Sequence, residues 1–167
     1  IQMFFLGIKL EIEGNLDESC DLILINHQSM LDIIVMEHLH NRNIAWVAKK
    51  EITDLFFFGH IIKAPRMISI DRENKAGLIH LLSEAKDRLS KGRPIAMFPE
   101  GTRSDGTYIG EFKAGAKMVG NKFNLKVQPV VMFNTRNIVN SQKMEAAPGV
   151  VKVIYLEPVV ASKDTSW

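Results

Sequence analysis

Leu22-Ile23-Leu24-Ile25-Asn26-His27-Gln28-Ser29-Met30-Leu31-Asp32 runs from unbroken apolar residues into a polar segment and on toward a helix. An apolar run this short, with no polar alternation, is the pattern of a strand buried on both faces, as in parallel sheets. His27 and Asp32 stand just past its end, where the binding sites of open α/β sheets gather. Histidine titrates nearest neutrality, and a positioned carboxylate fixes its tautomer and supports it as a general base. In a continuous helix the five-residue step turns through about 500°, leaving the two side chains about 140° apart, so the helix must begin between them. With Ser29 as N-cap, Asp32 becomes the third helical residue and completes a capping box, while His27 stays in the loop, free to fold back. The same geometry serves a purely structural reading, a capped helix beside an ordinary loop histidine, and this segment alone leaves both open.

Outward from it, a second strand-like run, Ile95-Ala96-Met97-Phe98, opens into Pro99-Glu100-Gly101-Thr102-Arg103-Ser104. Gly101 permits an unusual backbone conformation or a close approach by substrate, and Thr102, Arg103 and exposed main-chain N–H groups could hold a phosphate, for which arginine's planar fork is suited. The structural alternative is a turn at 99–101 with Arg103 in a surface salt bridge. Ile68-Ser69-Ile70-Asp71-Arg72 sets another arginine just past a strand.

The remaining chain reads as alternating elements. Residues 7–13 alternate apolar and charged before Gly14-Asn15, the pattern of a half-exposed edge strand. A helix follows from about Ser29 to Leu39, then a strand at 44–47, an apolar helix or helix pair over 51–63, and a strand at 67–70. Glu73 to Lys91 carries Ala76, Ile79, Leu82, Ala85 and Leu89 at helical spacing, with Gly92 in the C-cap position. After the strand at 94–98 come an Asp105-Gly106 turn, a helix through 114–119, and strands near 125–133 and 150–157. The expectation is one α/β domain with a mixed, largely parallel central sheet flanked by helices.

Composition narrows the field. A 167-residue chain that is 46% hydrophobic suits a single well-formed core. A net charge of +2 argues against a protein that coats nucleic acid and leaves room only for local anion binding. The single cysteine, Cys20, cannot form an internal disulfide, no Cys and His spacing matches a zinc site, and a reducing compartment follows. No apolar run approaches the ~20 residues of a membrane-spanning helix. Ile1 to Leu6 read as the stub of an upstream anchoring segment, and 161–167 as a tail.

In order along the chain, these blocks resemble the glycerolipid acyltransferases, specifically the bacterial 1-acyl-sn-glycerol-3-phosphate acyltransferases. Asn26-His27 to Asp32 is similar to the first family block, Ser69 to Arg72 to the second, Phe98 to Ser104 to the third, and Val127-Gln128-Pro129-Val130-Val131 to the fourth. Ala48-Lys49-Lys50-Glu51 and Phe112-Lys113-Ala114-Gly115 match connecting segments, so the resemblance covers about residues 7–160. Two positions depart from the pattern: Ser69 stands where the family often has an aromatic residue, and Gln128 where it usually has an apolar one.

The resemblance implies the glycerolipid acyltransferase fold and a catalytic domain over 7–160. It makes His27 the base that deprotonates the 2-hydroxyl of lysophosphatidic acid and Asp32 its orienter. Arg72 and Arg103 would bind the acceptor's phosphate, Glu100 and Thr102 would shape the glycerol pocket, and Gly101 would allow close approach. Oxyanion donors are expected among main-chain N–H groups near Gly101 and at Lys49. No metal or cofactor is implied beyond an acyl thioester of acyl-carrier protein or coenzyme A as co-substrate, and Cys20 is not a nucleophile. Partners are lysophosphatidic acid, the thioester and a membrane surface at the cytoplasmic face, with no nucleic acid. The segment Leu55 to Ile62, flanked by Lys49, Lys50, Lys63 and Arg66, fits either an interfacial face or the core. Acylation of glycerol 3-phosphate or another lysolipid is an alternative, and a non-catalytic lipid- or phosphate-binding module is a third.

Overall fold

In a computed structural model that describes residues 7–50, 67–71 and 75–162, the strands are β1 (Ile8–Glu13), β2 (Leu22–Ile25), β3 (Ala45–Lys49), β4 (Ile68–Ile70), β5 (Ile95–Met97), β6 (Lys126–Phe133), β7 (Val139–Asn140), β8 (Glu145–Ala146), β9 (Gly149–Tyr155) and β10 (Val159–Val160). The helices are α1 (Leu31–Leu39), α2 (Lys75–Ser90), α3 (Ala114–Phe123) and α4 (Thr135–Ile138). The main sheet is ordered β1-β9-β6-β2-β5-β3-β4, with β10 pairing to β6 beside β9. From β6 to β4 every neighbouring pair is parallel, whereas β9 runs antiparallel to β6 and carries β1 as a parallel edge strand. The sheet is therefore mixed and largely parallel, as the apolar runs require.

β2 lies in the middle and all its residues are buried. Its side chains alternate between two cores. Ile23 and Ile25 join Ala96, Val130 and Met132 under Leu31, Val35 and Met36 of α1. On the other face Leu22 and Leu24 join Ile95, Met97 and Val127 under Leu81 and Ala85 of α2 and Ala116 and Val119 of α3. Burial on both faces is why this strand shows no polar alternation.

α1 begins at Leu31, two residues later than its expected start. Met30 already has helical dihedrals (φ −61°, ψ −24°), and Ser29 Oγ accepts the Leu31 N–H at 3.2 Å, so Ser29 still caps the turn. α2 ends as expected. Gly92 adopts φ +68°, and the Arg93 N–H returns to the Arg88 carbonyl at 3.0 Å. Its apolar stripe differs from the expected one: Ile79 is 71% exposed, and the core face runs through Leu78, Leu81, Leu82, Ala85 and Leu89. The apolar segment at 51–63 lies outside the described residues.

Gln128, the polar residue in an otherwise apolar strand, is fully buried yet satisfied, since its Oε1 accepts the Asp17 N–H at 2.9 Å and its Nε2 donates to the Leu156 carbonyl. Pro129 follows where the outer partner of β6 changes from β10, opposite residues 126–127, to β9, opposite 130–133. A missing N–H is tolerated at that break.

Candidate active site

Because β2, β3, β4, β5 and β6 are parallel, the loops that follow them share one edge of the sheet. Asn26 opens this edge by continuing β2 with its side chain: Oδ1 accepts the Met132 N–H at 2.7 Å and Nδ2 donates to the Met132 carbonyl at 2.9 Å. The chain then leaves the sheet at His27. His27 Nδ1 lies 2.8 Å from Asp32 Oδ2, with the Asp32 side chain 0% and the His27 side chain 13% exposed. The same Oδ2 accepts the N–H groups of Gln28 (2.7 Å) and Ser29 (2.9 Å). The bond to Ser29 is the capping-box bond, so helix capping and the His–Asp pair are one construction. A carboxylate oxygen that accepts from two amides is an acceptor toward the ring as well. Nδ1 therefore carries a proton toward Asp32, which in a neutral ring leaves the lone pair on Nε2.

The imidazole is held from its face too. Phe98, just past β5, stacks on it with centroids 3.7 Å apart and planes 13° apart, and Trp46 stacks behind Phe98 at 5.3 Å. Trp46 is anchored in turn by its Nε1–H to Glu37 Oε1 at 2.6 Å. Sequence reading missed both aromatics. The signal was there in part: Leu24 pairs with Met97, which puts Phe98 level with the end of β2, but only once β2 and β5 are known to be neighbours.

Glu100 is 3% exposed, and its oxygens are taken by main-chain amides, Oε1 by His27 N at 2.8 Å and Oε2 by Gly110 N at 2.7 Å. Glu100 thus clamps the two loops together. Ser104 N donates to the His27 carbonyl at 2.8 Å and tightens the same junction. Gly101 has φ +75°, the left-handed conformation that its lack of a Cβ permits, and its N–H donates to the Phe98 carbonyl at 3.0 Å. The Gly101 and Ser104 amides are engaged, and those of Glu100, Thr102 and Arg103 make no hydrogen bond among the described residues. Thr102 and Arg103 are exposed, and Arg103 forms no ion pair among the described residues.

Lys49 lies at the end of β3, exposed. Two strand spacings separate β3 from β2, or about 10 Å. Arg72 is outside the described residues, although Asp71, just before it, closes β4 at the same edge. Cys20 sits before β2, at the opposite edge, and burial pushes its thiol up to about 11, the reverse of an activated nucleophile. Arg136 follows β6, as Arg103 follows β5 and Arg72 follows β4, and sequence reading passed over it. It donates to the Ser104 carbonyl at 3.0 Å.

The acyltransferase family model matches residues 8–133. The 1-acyl-sn-glycerol-3-phosphate acyltransferase of Helicobacter pylori is 45% identical over 155 residues, which cover 90% of this chain and 64% of that protein. Its counterpart in Salmonella typhimurium is 32% identical over 94% of the chain and 65% of its own length. A lyso-ornithine lipid O-acyltransferase of Brucella abortus is 31% identical over 78% of the chain and 51% of its own length. The crystal structure of the 1-acyl-sn-glycerophosphate acyltransferase from Thermotoga maritima superposes with a TM-score of 0.78 at 24% identity, over 98% of this chain and 66% of that one, a likeness of fold. The chain thus spans about half to two thirds of the length of these relatives. The matched region takes in β1 to β6 with the His27–Asp32 pair and the 98–104 turn, and the chain belongs to the acyltransferase family.

Proposed function

We propose that the chain carries the catalytic domain, over residues 7–160, of an enzyme that moves a fatty acyl group from an acyl thioester to the 2-hydroxyl of 1-acyl-sn-glycerol 3-phosphate, forming phosphatidic acid. The observation that carries this reading is the 2.8 Å contact of His27 Nδ1 with a buried, amide-bound Asp32 carboxylate. His27 Nε2 takes the hydroxyl proton as the oxygen attacks the thioester carbonyl carbon, and Asp32 stabilises the imidazolium. The tetrahedral oxyanion draws on the Thr102 and Arg103 amides. Its collapse breaks the C–S bond, and the proton passes from Nε2 to the departing sulfur, giving a free thiol. No acyl-enzyme forms. Arg103, and Arg72 beside it in the family pattern, hold the acceptor's phosphate.

The thioester donor is acyl-carrier protein or coenzyme A, and no further cofactor takes part. An acceptor that lives in a bilayer requires the edge carrying His27 to meet a membrane surface, here at its cytoplasmic face. The loop that Glu100 ties to His27 supports this, because it exposes Tyr108, Ile109 and Phe112 together (64%, 51% and 58%) ahead of Lys113 and Lys117. No helix among the described residues is long and apolar enough to cross a membrane.

The Brucella relative favours one competing reading, transfer to a lysolipid whose ornithine headgroup has no phosphate. The test is a panel of lysophosphatidate, glycerol 3-phosphate and lyso-ornithine lipid with purified protein, each assayed with both donors. Preferential turnover of lysophosphatidate is expected. Preference for the ornithine acceptor would replace the substrate, and inactivity of a folded, lipid-supplied protein toward all three would favour a binding module.

A further inference from the structure

We infer that Arg136 is a second guanidinium of the acceptor's phosphate site, facing Arg103 across a cleft beside His27. A small cleft with about 20 Å³ of room lies between the 98–104 turn and the segment around α4 and β7, lined by Gln28, Arg103, Arg136, Asn140 and Gln142 among others. Every polar side chain named here is a hydrogen-bond donor, and none is acidic. Arg136 reaches Ser104 O at 3.0 Å through Nη1 and Gln142 Oε1 at 2.9 Å through Nη2. Both partners are neutral, so these bonds fix the guanidinium without cancelling its charge, and they spend two of its five N–H donors. Arg103 makes no ion pair among the described residues either. Asp105, on the same turn, is exposed and feels the Arg136 charge, but its Oδ1 is taken within its own loop, accepting from Thr107 N at 2.9 Å and Thr107 Oγ1 at 2.6 Å.

Two guanidiniums without a direct ion pair among the described residues, one of them already immobilised, form a preorganised anion site. Its position selects the anion. Gln28, one of the lining residues, follows His27 in the chain, and its side chain is fixed by Nε2 to the Met132 carbonyl at 3.1 Å. In the acceptor the phosphate is borne on the carbon next to the one whose hydroxyl reacts, so its site must adjoin the base. The inference rests on the proposed acyl transfer for the identity of the ligand, and on the cleft alone for its charge.

Calorimetric titration with sn-glycerol 3-phosphate separates the two, since it needs no turnover. Arg136→Gln should bind about tenfold more weakly than the parent chain, the loss expected for one charge-assisted bond. Arg136→Lys keeps the charge without the fork, serves if the glutamine variant does not fold, and should lose about threefold. In turnover, Arg136→Gln should raise KM for lysophosphatidate about tenfold, with kcat and the thioester KM within about twofold. Equal binding by the folded variants, no binding by the parent chain, or a KM rise confined to the thioester would overturn the assignment. Retained phosphate binding with no acyl transfer would instead remove the proposed function and leave the anion site standing.

Discussion

Glu100 shows how a residue that reads as substrate-binding can work through the backbone. Its two oxygens hold the His27 and Gly110 amides, so the carboxylate joins the loop carrying His27 to the loop carrying Tyr108 and Phe112. Glu100→Gln would turn an amide donor toward one of those N–H groups and remove one charge-assisted bond, a loss of roughly 2 kcal/mol. The expected result is a lower melting temperature and a reduced kcat with little change in the acceptor's KM. A rise in KM alone would return Glu100 to the glycerol pocket. His27, Asp32 and Arg103 were legible in sequence because their chemistry is rare and their spacing incompatible with one continuous helix. Phe98, Trp46 and Arg136 were not, since an aromatic or an arginine near a strand end gains meaning only from the neighbouring strand.

Among the elements, the junction of β4 with α2 is set by a glycine that periodicity does not explain. A Cβ on Gly77 would lie 1.7 Å from the Asp71 carbonyl oxygen, so the helix approaches the end of β4 only because that side chain is missing. Gly→Ala within a helix ordinarily stabilises by roughly 1 kcal/mol. Here the opposite sign is expected, with Gly77→Ala lowering the melting temperature, and a stabilised variant would refute the contact. The loop before β2 is tied to β6 by Lys126 Nζ on Asp17 Oδ2 at 2.5 Å, a bond that holds the Asp17 carboxyl down at about 2. A lowered folded-state pKa contributes stability above the unfolded value of about 4 and loses it as pH falls through the folded value. The urea midpoint of Asp17→Asn should therefore fall below that of the parent chain near neutral pH, and the gap should close as pH drops from about 4 to about 2. A gap that widened on acidification would contradict the assignment. Apolar period sufficed to recognise β2, α2 and β6 in sequence, but β7, β8 and β10 are two residues each, too short to have one. The misplaced Ile79 shows that spacing alone does not choose among overlapping stripes on a long helix.

Across the whole molecule, parallel pairing from β6 to β4 collects the His27–Asp32 pair, the Glu100 clamp, Arg103, Arg136 and the exposed apolar loop at one edge, with the buried cysteine at the other. That arrangement was legible from alternating strands and helices, whereas the antiparallel pairing of β9 with β6 was not, because strand direction leaves no mark on composition. If this edge meets the membrane, replacing Tyr108 and Phe112 by serine should reduce sedimentation with anionic phospholipid vesicles and slow turnover of vesicle-borne acceptor, while a water-soluble short-chain acceptor reacts as before. Unchanged vesicle binding would place the membrane contact elsewhere. The central claim, that His27 held by Asp32 is the base for acyl transfer, is tested most directly by the turnover of His27→Ala with lysophosphatidate and a long-chain acyl thioester, in protein shown to be folded by its circular dichroism and melting transition. The account predicts a fall in kcat of about a thousandfold with the KM values nearly unchanged; a folded variant turning over near the parental rate would contradict it.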